Sequence, residues 1–158
     1  MVRGALRRMA PATLRRGRVG DNPWRRLADF VRDRDLGEAA SRVGFPLDRD
    51  PDAVAAPDGV VARAEHVPPA ERRYGFVGAP ANVAVEALSP SHSAAQRSEN
   101  VLTYRRPGVR SDWALEPVGR AAADSTPDRA AGPLLAPERL GGSDVLASFT
   151  APVADVFA

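Results

Sequence analysis

The feature that most constrains this chain is an acidic residue, Glu86, inside a short apolar run. The run Pro80-Ala-Asn-Val-Ala-Val-Glu86-Ala-Leu-Ser-Pro-Ser91 contains two strong β-formers, Val83 and Val85, and ends at a Ser-Pro-Ser breaker. This pattern predicts a buried strand that leaves the core and turns. A carboxylate in such a strand is costly unless it is paired, hydrogen-bonded or bound to a metal. Glu86 is therefore a metal ligand, a residue at a strand edge, or part of an internal ion pair, and structural ion pairs are common.

A helix is predicted directly after this strand, over residues 94–106. The stretch contains no breaker, places Arg97, Val101 and Tyr104 on one helical face, and ends at Pro107-Gly108. A strand that delivers a carboxylate and a helix that covers it would together form a scaffold for a metal site.

Composition sets limits on class and chemistry. The length of 158 residues predicts one domain with a single modest core. The absence of Cys excludes disulfides, thiolate metal sites and cysteine nucleophiles. All 22 basic residues are Arg, so no Schiff-base lysine is available. No apolar run approaches the roughly 18 residues of a membrane span, and no secretory signal is visible. We therefore expect a cytoplasmic protein that makes no membrane contact.

The net charge of +2 hides an asymmetry along the chain. Residues 1–26 contain eight Arg and one acid, whereas the remainder is acidic overall. A basic leader of this kind can contact phosphates, resemble a transit peptide, or be a solvated and poorly ordered end. The sequence leaves these three readings open.

The other patterns predict a mixture of helix and strand. A helix is expected over about 23–33, with Asn22 as its cap, Pro23 in its first turn, and Gly37 as its end. Strands are expected around Val43–Leu47 and 109–115, with short ones at 134–135 and 145–146, and residues 120–133 are expected to form a loop. Val153, Val156 and Phe157 should pack the C-terminus. These elements predict an α/β or α+β fold with several strands and two helices.

The order of these short motifs resembles the bacterial Uma (Uma-two) family of restriction endonuclease-like proteins. The resemblance is carried by Arg49-Asp-Pro-Asp52, Ala56-Pro-Asp58, Gly78-Ala-Pro-Ala-Asn-Val-Ala-Val-Glu86-Ala-Leu-Ser-Pro90, Tyr104-Arg-Arg-Pro-Gly-Val-Arg-Ser-Asp-Trp113-Ala-Leu-Glu-Pro117 and Leu140-Gly-Gly-Ser-Asp-Val-Leu-Ala-Ser-Phe149. It covers nearly the whole chain. It implies a PD-(D/E)XK nuclease-like fold, in which helices flank a mixed β-sheet, and a Mg²⁺-dependent endonuclease that acts on DNA.

The resemblance also assigns roles to individual positions. Taken alone, Pro57-Asp58-Gly59 is a standard turn sequence, and Asp58 reads as a turn residue. The family's Pro-Asp pair falls on Pro57-Asp58 and its strand glutamate on Glu86, which implies that both carboxylates hold Mg²⁺, with Mn²⁺ as a substitute. Mg²⁺ commonly takes one or two carboxylates, with waters and substrate phosphate completing its shell.

Several positions depart from the family pattern. The family's catalytic lysine falls on Asn100, which carries no charge, and Arg97, one turn earlier, is a candidate for supplying that charge. An acidic position of the family is Gln96, and a motif histidine is Arg16. A further acid of the family would precede Met1, so we expect a single domain over residues 1–158 that is shortened at its N-terminus. Positioned charge and acid–base groups are worth about 10²–10⁴-fold each, so these losses bear on activity.

Three functions are consistent with these features. The first is a Mg²⁺-dependent DNA endonuclease in which Asp58 and Glu86 bind the metal and Asn100 and Arg97 lie near the phosphate. The second is a catalytically inert nucleic-acid-binding or interaction module that keeps the nuclease fold. The third is a degenerate copy that folds poorly. The oligomeric state, a homodimer included, is left open.

Overall fold

The computed structural model describes residues 14–49, 52–69, 81–88, 109–126, 128–129 and 132–158. In chain order the elements are helix α1 (Leu14–Asp33), strands β1 (Gly37–Ala40), β2 (Phe45–Arg49), β3 (Asp52–Ala55) and β4 (Gly59–Arg63), a 3₁₀ turn (Ala64–His66), strands β5 (Val83–Ala87), β6 (Ser111–Glu116), β7 (Ala121–Ser125), β8 (Pro133–Leu134), β9 (Arg139–Gly141) and β10 (Thr150–Pro152), and helix α2 (Val153–Val156). The predicted helix over 94–106 lies outside the described residues.

One six-stranded mixed sheet organises the fold. Its strand order is β1-β4-β5-β6-β7-β8, in which β5 and β6 run parallel and the other neighbours run antiparallel. The pairs β2–β3 and β9–β10 form separate two-stranded ribbons. The predicted mixed α+β class is confirmed, and the sheet holds β5, the Glu86 strand, between two neighbours.

Helix α1 starts earlier than its sequence predicts, at Leu14. Pro23 therefore lies inside the helix and not in its first turn. A proline in a helix interior removes one backbone hydrogen bond. The helix nevertheless continues from Leu14, since the apolar face that spans the proline is buried against the sheet. Asn22 is not a cap: its Nδ2 donates a hydrogen bond to the backbone carbonyl of Ala158, at 3.0 Å. The residues of the buried face are Val19, Leu27 and Val31.

The helix ends at Asp33 and the chain turns before β1. Asp35 adopts a left-handed backbone with φ of 51°, and Gly37 follows with φ of 145°. A side chain at Gly37 would lie 2.8 Å from the backbone nitrogen of Ala64. The expected role of Gly37 as the end of α1 is therefore wrong: this glycine instead allows β1 to approach the chain after β4.

The main core lies between α1 and one face of the sheet. Trp113, fully buried at the centre of β6, stacks on Phe149 with ring centroids 5.5 Å apart. Phe149 in turn meets the edge of Phe30 at 5.1 Å. Val153 and Val156 of α2 are also buried in this core, which confirms the predicted packing of the C-terminus.

Two predictions about the second half of the chain are wrong. Residues 121–125 were expected in a loop, but they form β7, and every residue of β7 pairs with a residue of β6. Val145 and Leu146 were expected in a strand, but they lie in the turn that joins β9 to β10. The amide of Leu146 donates to the carbonyl of Gly142, at 2.9 Å, which closes this turn and buries the leucine.

None of the helices in the described part of the chain is both long enough and apolar enough to cross a membrane. This agrees with the charged sequence of α1, whose solvent-facing side is rich in Arg and Asp.

Candidate active site

Glu86 lies near the end of β5 and is only 3% exposed. Successive side chains of a strand point to opposite faces of its sheet. Val83, Val85 and Ala87 belong to the core cluster that includes α1, so Glu86 emerges on the other face. On that face Ala84 packs in a second, smaller apolar cluster. The prediction of a buried strand that carries a carboxylate is confirmed.

Asp58 immediately precedes β4 and lies beside the same end of β5. The antiparallel register pairs Gly59 with Val85, and continuing it by one residue brings Asp58 opposite Glu86. Oδ2 of Asp58 accepts a hydrogen bond from the backbone amide of Ala87, at 2.9 Å. The carboxylate therefore extends the β4–β5 ladder past the last backbone pair. Its Oδ1 has no hydrogen-bond partner among the described residues.

Helix α1 reaches this position at Gly20. A Cβ atom built on Gly20 would lie 3.7 Å from Oδ2 of Asp58 and 3.6 Å from Cβ of Ala87. The helix backbone thus covers one side of the Asp58 carboxylate, while Glu86 emerges on the opposite face of the sheet. A glycine inside a helical pattern signals a close approach of this kind.

Asn82 fixes the other end of β5. Its Oδ1 accepts hydrogen bonds from the backbone amide of Arg63, at 2.8 Å, and from Nδ1 of His66, at 3.0 Å. Its backbone carbonyl accepts from the amides of Arg110 and Ser111, at 2.9 and 3.1 Å. The strand is therefore held against β4 and β6 at its start by Asn82 and against β4 at its end by Asp58. This double attachment orders the backbone that carries Glu86.

A second buried carboxylate, Asp112, lies on the same face of the sheet as Glu86. The parallel register pairs Ala84 with Asp112 and Glu86 with Ala114. Asp112 is thus a diagonal neighbour of Glu86, and it is 2% exposed. It was not among the predicted site residues. The sequence carries only a weaker form of the signal that singled out Glu86, because Asp112 precedes the apolar residues 113–115 but follows Arg110 and Ser111.

Two of the four predicted catalytic residues lie within the described part of the chain. The backbone register places Asp58 opposite Glu86 at one end of the β4–β5 pair, whereas Arg97 and Asn100 lie outside the described residues. Within the described ranges, no group of three or more His, Cys, Asp and Glu side chains is arranged to hold a metal ion. The acidic residues at this end of the β4–β5 pair are Asp58 and Glu86.

This donor set suits a hard cation. Mg²⁺ is usually bound through one or two carboxylates, with waters and substrate phosphates in the other positions. The Asp58 carboxylate keeps one oxygen in its hydrogen bond to Ala87 and leaves Oδ1 for another partner. The absence of sulfur and the presence of oxygen ligands fit Mg²⁺ or Mn²⁺ better than a softer metal.

Comparison with known proteins identifies the family. The family model for Uma2, described as "Putative restriction endonuclease", matches residues 1–154. The chain belongs to this family. The resemblance read from its short motifs is therefore confirmed over almost the whole length.

Among solved structures, the Uma2 chain is similar to a protein from Anabaena variabilis described as a "putative nuclease". The two share 15% sequence identity with a TM-score of 0.79, over 96% of this chain and 84% of the other. At this identity the likeness shows a common fold, which is a nuclease-like one. None of the curated proteins matches the chain closely enough to count as a relative.

Proposed function

We propose that this Uma2 protein is a Mg²⁺-dependent endonuclease that hydrolyses DNA phosphodiesters, with Asp58 and Glu86 as its metal ligands. The observation that carries the proposal is the β4–β5 register, which places Asp58 and Glu86 opposite each other at the same end of the strand pair, with Asp58 held there by the amide of Ala87. Membership of a family of restriction endonuclease-like proteins supports the reaction class. A nuclease-like fold in the Anabaena protein supports the same assignment.

In this proposal the protein's own groups have distinct tasks. The amide of Ala87 fixes the orientation of Asp58, and Gly20 leaves room for α1 to shield that carboxylate from one side. Asp58 and Glu86 would supply the carboxylate oxygens that hold the cation. When bound, Mg²⁺ would polarise the scissile phosphate and lower the pKa of an attacking water.

Two further residues belong to the proposal through the family pattern alone. Asn100 occupies the position of the family's catalytic lysine and is proposed to hydrogen-bond a water or a phosphate oxygen. Arg97 is proposed to supply the positive charge that Asn100 lacks. An arginine cannot act as a base at neutral pH, so its contribution would be electrostatic.

Nicking of supercoiled plasmid DNA tests this function. Wild type should convert the supercoiled form in Mg²⁺ or Mn²⁺ but not in EDTA, and Asp58→Asn or Glu86→Gln should each slow nicking by at least about 10²-fold. Asp58→Asn is the sharper variant because an amide oxygen can still accept the hydrogen bond from Ala87. Asp29→Asn, which removes an exposed carboxylate paired with Arg32, is the matched control and should nick normally.

A catalytically inert DNA-binding module is the second candidate, and the neutral Asn100 favours it. This reading predicts DNA binding that weakens with salt, with no nicking in any metal. Wild-type protein that unfolds cooperatively, binds DNA and does not nick it would replace the endonuclease proposal with this one. Homodimerisation remains a prediction for either function.

A further inference from the structure

An arginine lines a pocket at the same end of the sheet as the candidate active site, and a second arginine lies near one of the residues that line it. The pocket, of about 270 Å³, is lined by Leu14, Arg18 and Val19 of α1, by Pro117 in the turn between β6 and β7, and by Phe157 and Ala158. The guanidinium group of Arg120, in that same turn, lies 6.0 Å from the centre of the Phe157 ring. Arg18 thus lines the pocket, and Arg120 lies near one of its lining residues, Phe157. We call these two arginines the basic rim.

The basic rim is close to the end of β5. Gly20, where an added Cβ would lie 3.7 Å from Asp58, is two residues from Arg18, or about 3 Å along the helix axis. Leu115, which pairs with Ala87, is two residues before Pro117, or about 7 Å along the strand. One DNA strand advances about 3.4 Å per phosphate, so a few nucleotides span both the rim and the carboxylates.

The charges of the basic rim are available to an anionic partner. Arg18 and Arg120 are exposed, and within the described residues neither forms an ion pair with a carboxylate. Asp21, the exposed acid on the following turn of α1, is not within ion-pair distance of Arg18. By contrast, Arg26 on α1 is paired with Asp155 at 2.9 Å.

The two acids nearest Arg120 in the chain are Glu116 and Asp124. Asp124 is paired with Arg129 at 3.1 Å, and Glu116 is turned toward its own backbone. Oε1 and Oε2 of Glu116 accept hydrogen bonds from the amides of Val118 and Gly119, at 3.2 and 2.8 Å. These bonds hold the carboxylate inside the β6–β7 turn.

We propose that the basic rim, Arg18 and Arg120, binds backbone phosphates of the DNA that is presented to Asp58 and Glu86. This inference rests on the proposed function in taking DNA as the substrate. It assigns the positive side of the DNA interface to the N-terminal half of α1 and the β6–β7 turn. Each arginine contacts one phosphate and carries no sequence preference, since phosphate contacts position a protein without reading bases.

The salt dependence of DNA binding tests the rim separately from catalysis. A fluorescently labelled duplex of random sequence is titrated in EDTA, by anisotropy, at KCl concentrations from about 50 to about 200 mM. Each phosphate contact contributes about 0.9 to the slope of log K against log salt concentration. Arg18→Gln and Arg120→Gln should therefore each reduce the slope by about 0.9, and the double variant by about twice that.

Three controls keep the outcome unambiguous. Arg34→Gln removes an exposed arginine that also lies over a phenyl ring, that of Phe30, but at the other end of α1, and it should leave the slope unchanged. Arg120→Lys keeps the charge and should retain the wild-type slope, whatever the effect of Arg120→Gln on folding. Thermal unfolding of each variant shows whether it is folded.

Two results would overturn the inference. One is a double variant whose slope and affinity match those of Arg34→Gln; the other is folded wild-type protein that binds no DNA. Failure of the proposed function would be seen in other assays: the wild-type protein would neither nick plasmid DNA nor bind metal at Asp58 and Glu86. Variants of those carboxylates should keep their metal-free salt slope, so an inert protein with an intact rim would be recognised as such.

Discussion

Replacing Gly59 by alanine should distort the contact between α1 and β4, on which the position of Asp58 depends. A Cβ atom built on Gly59 would lie 2.8 and 2.9 Å from Cδ2 and Cζ3 of Trp24. Carbon atoms in good contact are about 3.5–4.0 Å apart, so the indole ring would have to move by roughly 1 Å. The ring is rigid and fixed to the helix, and its displacement therefore lifts α1 from the strand.

The expected cost follows from the size of that overlap. Overpacking of this kind destabilises a protein by about 1–3 kcal/mol. For a domain of this length, each kcal/mol lowers the melting temperature by about 2–4 °C, so Gly59→Ala should melt roughly 2–12 °C below wild type.

Gly20→Ala is the matched substitution and should have the opposite sign. Its new methyl group would make ordinary contacts, at 3.6 Å from Cβ of Ala87 and 3.7 Å from Asp58. Alanine is favoured over glycine in a helix interior by about 0.8–1.0 kcal/mol, so this variant should melt about 2–4 °C above wild type.

Thermal melts followed by circular dichroism compare the two variants directly. The penalty of Gly59→Ala should also shrink in a Trp24→Leu background, because the ring that it meets is gone. The reasoning fails if Gly59→Ala melts at or above the wild-type temperature, or if Gly20→Ala is the more destabilised of the two.

Two further substitutions test contacts of the sheet. Asp58→Ala removes the acceptor for the amide of Ala87 and should lower the unfolding free energy measured in urea melts by about 1.5–3 kcal/mol. Asp58→Asn keeps an acceptor oxygen and should therefore lose much less stability. Equal losses in the two variants would contradict the role of Asp58 in extending the β4–β5 ladder. Burial raises the pKa of Asp124, although a hydrogen bond from Ser111 and the charge of Arg129 partly oppose the shift. Because the folded state holds this proton longer than the unfolded state, the stability contributed by protonated Asp124 is lost as pH rises from about 4 through the raised pKa. Urea melts of Asp124→Asn across this range should show a weaker decline than those of wild type; parallel curves would contradict the assignment.

Local patterns predicted the strands that carry strong signals. The Glu86 strand and the Trp113 strand both combine β-branched or aromatic residues with breakers at their ends, and both formed as expected. β7 gave no such signal, because Ala121-Ala-Ala-Asp-Ser125 has almost no contrast between its two faces. It becomes a strand through pairing with β6, a tertiary effect that overrides local preference.

The candidate site was harder to predict from local sequence than the strands were, because it depends on long-range pairing. Glu86 could be singled out because an acid inside an apolar run is unusual. The local sequence around Asp58 predicts only a turn. Its position opposite Glu86 arises from the pairing of β4 with β5, which are separated by a long segment of the chain. The family resemblance supplied that relation before the structure did. The contact of Gly20 with Asp58 was missed, since it depends on a helix that continues through Pro23.

Calorimetric titration with Mg²⁺ or Mn²⁺ tests the central claim most directly. The wild-type protein and Asp29→Asn should each show saturable binding, and Asp58→Asn and Glu86→Gln should each abolish it while the proteins remain folded. Absence of saturable binding in a wild-type protein that unfolds cooperatively, or its persistence in both carboxylate variants, would contradict a metal centre at the end of β5.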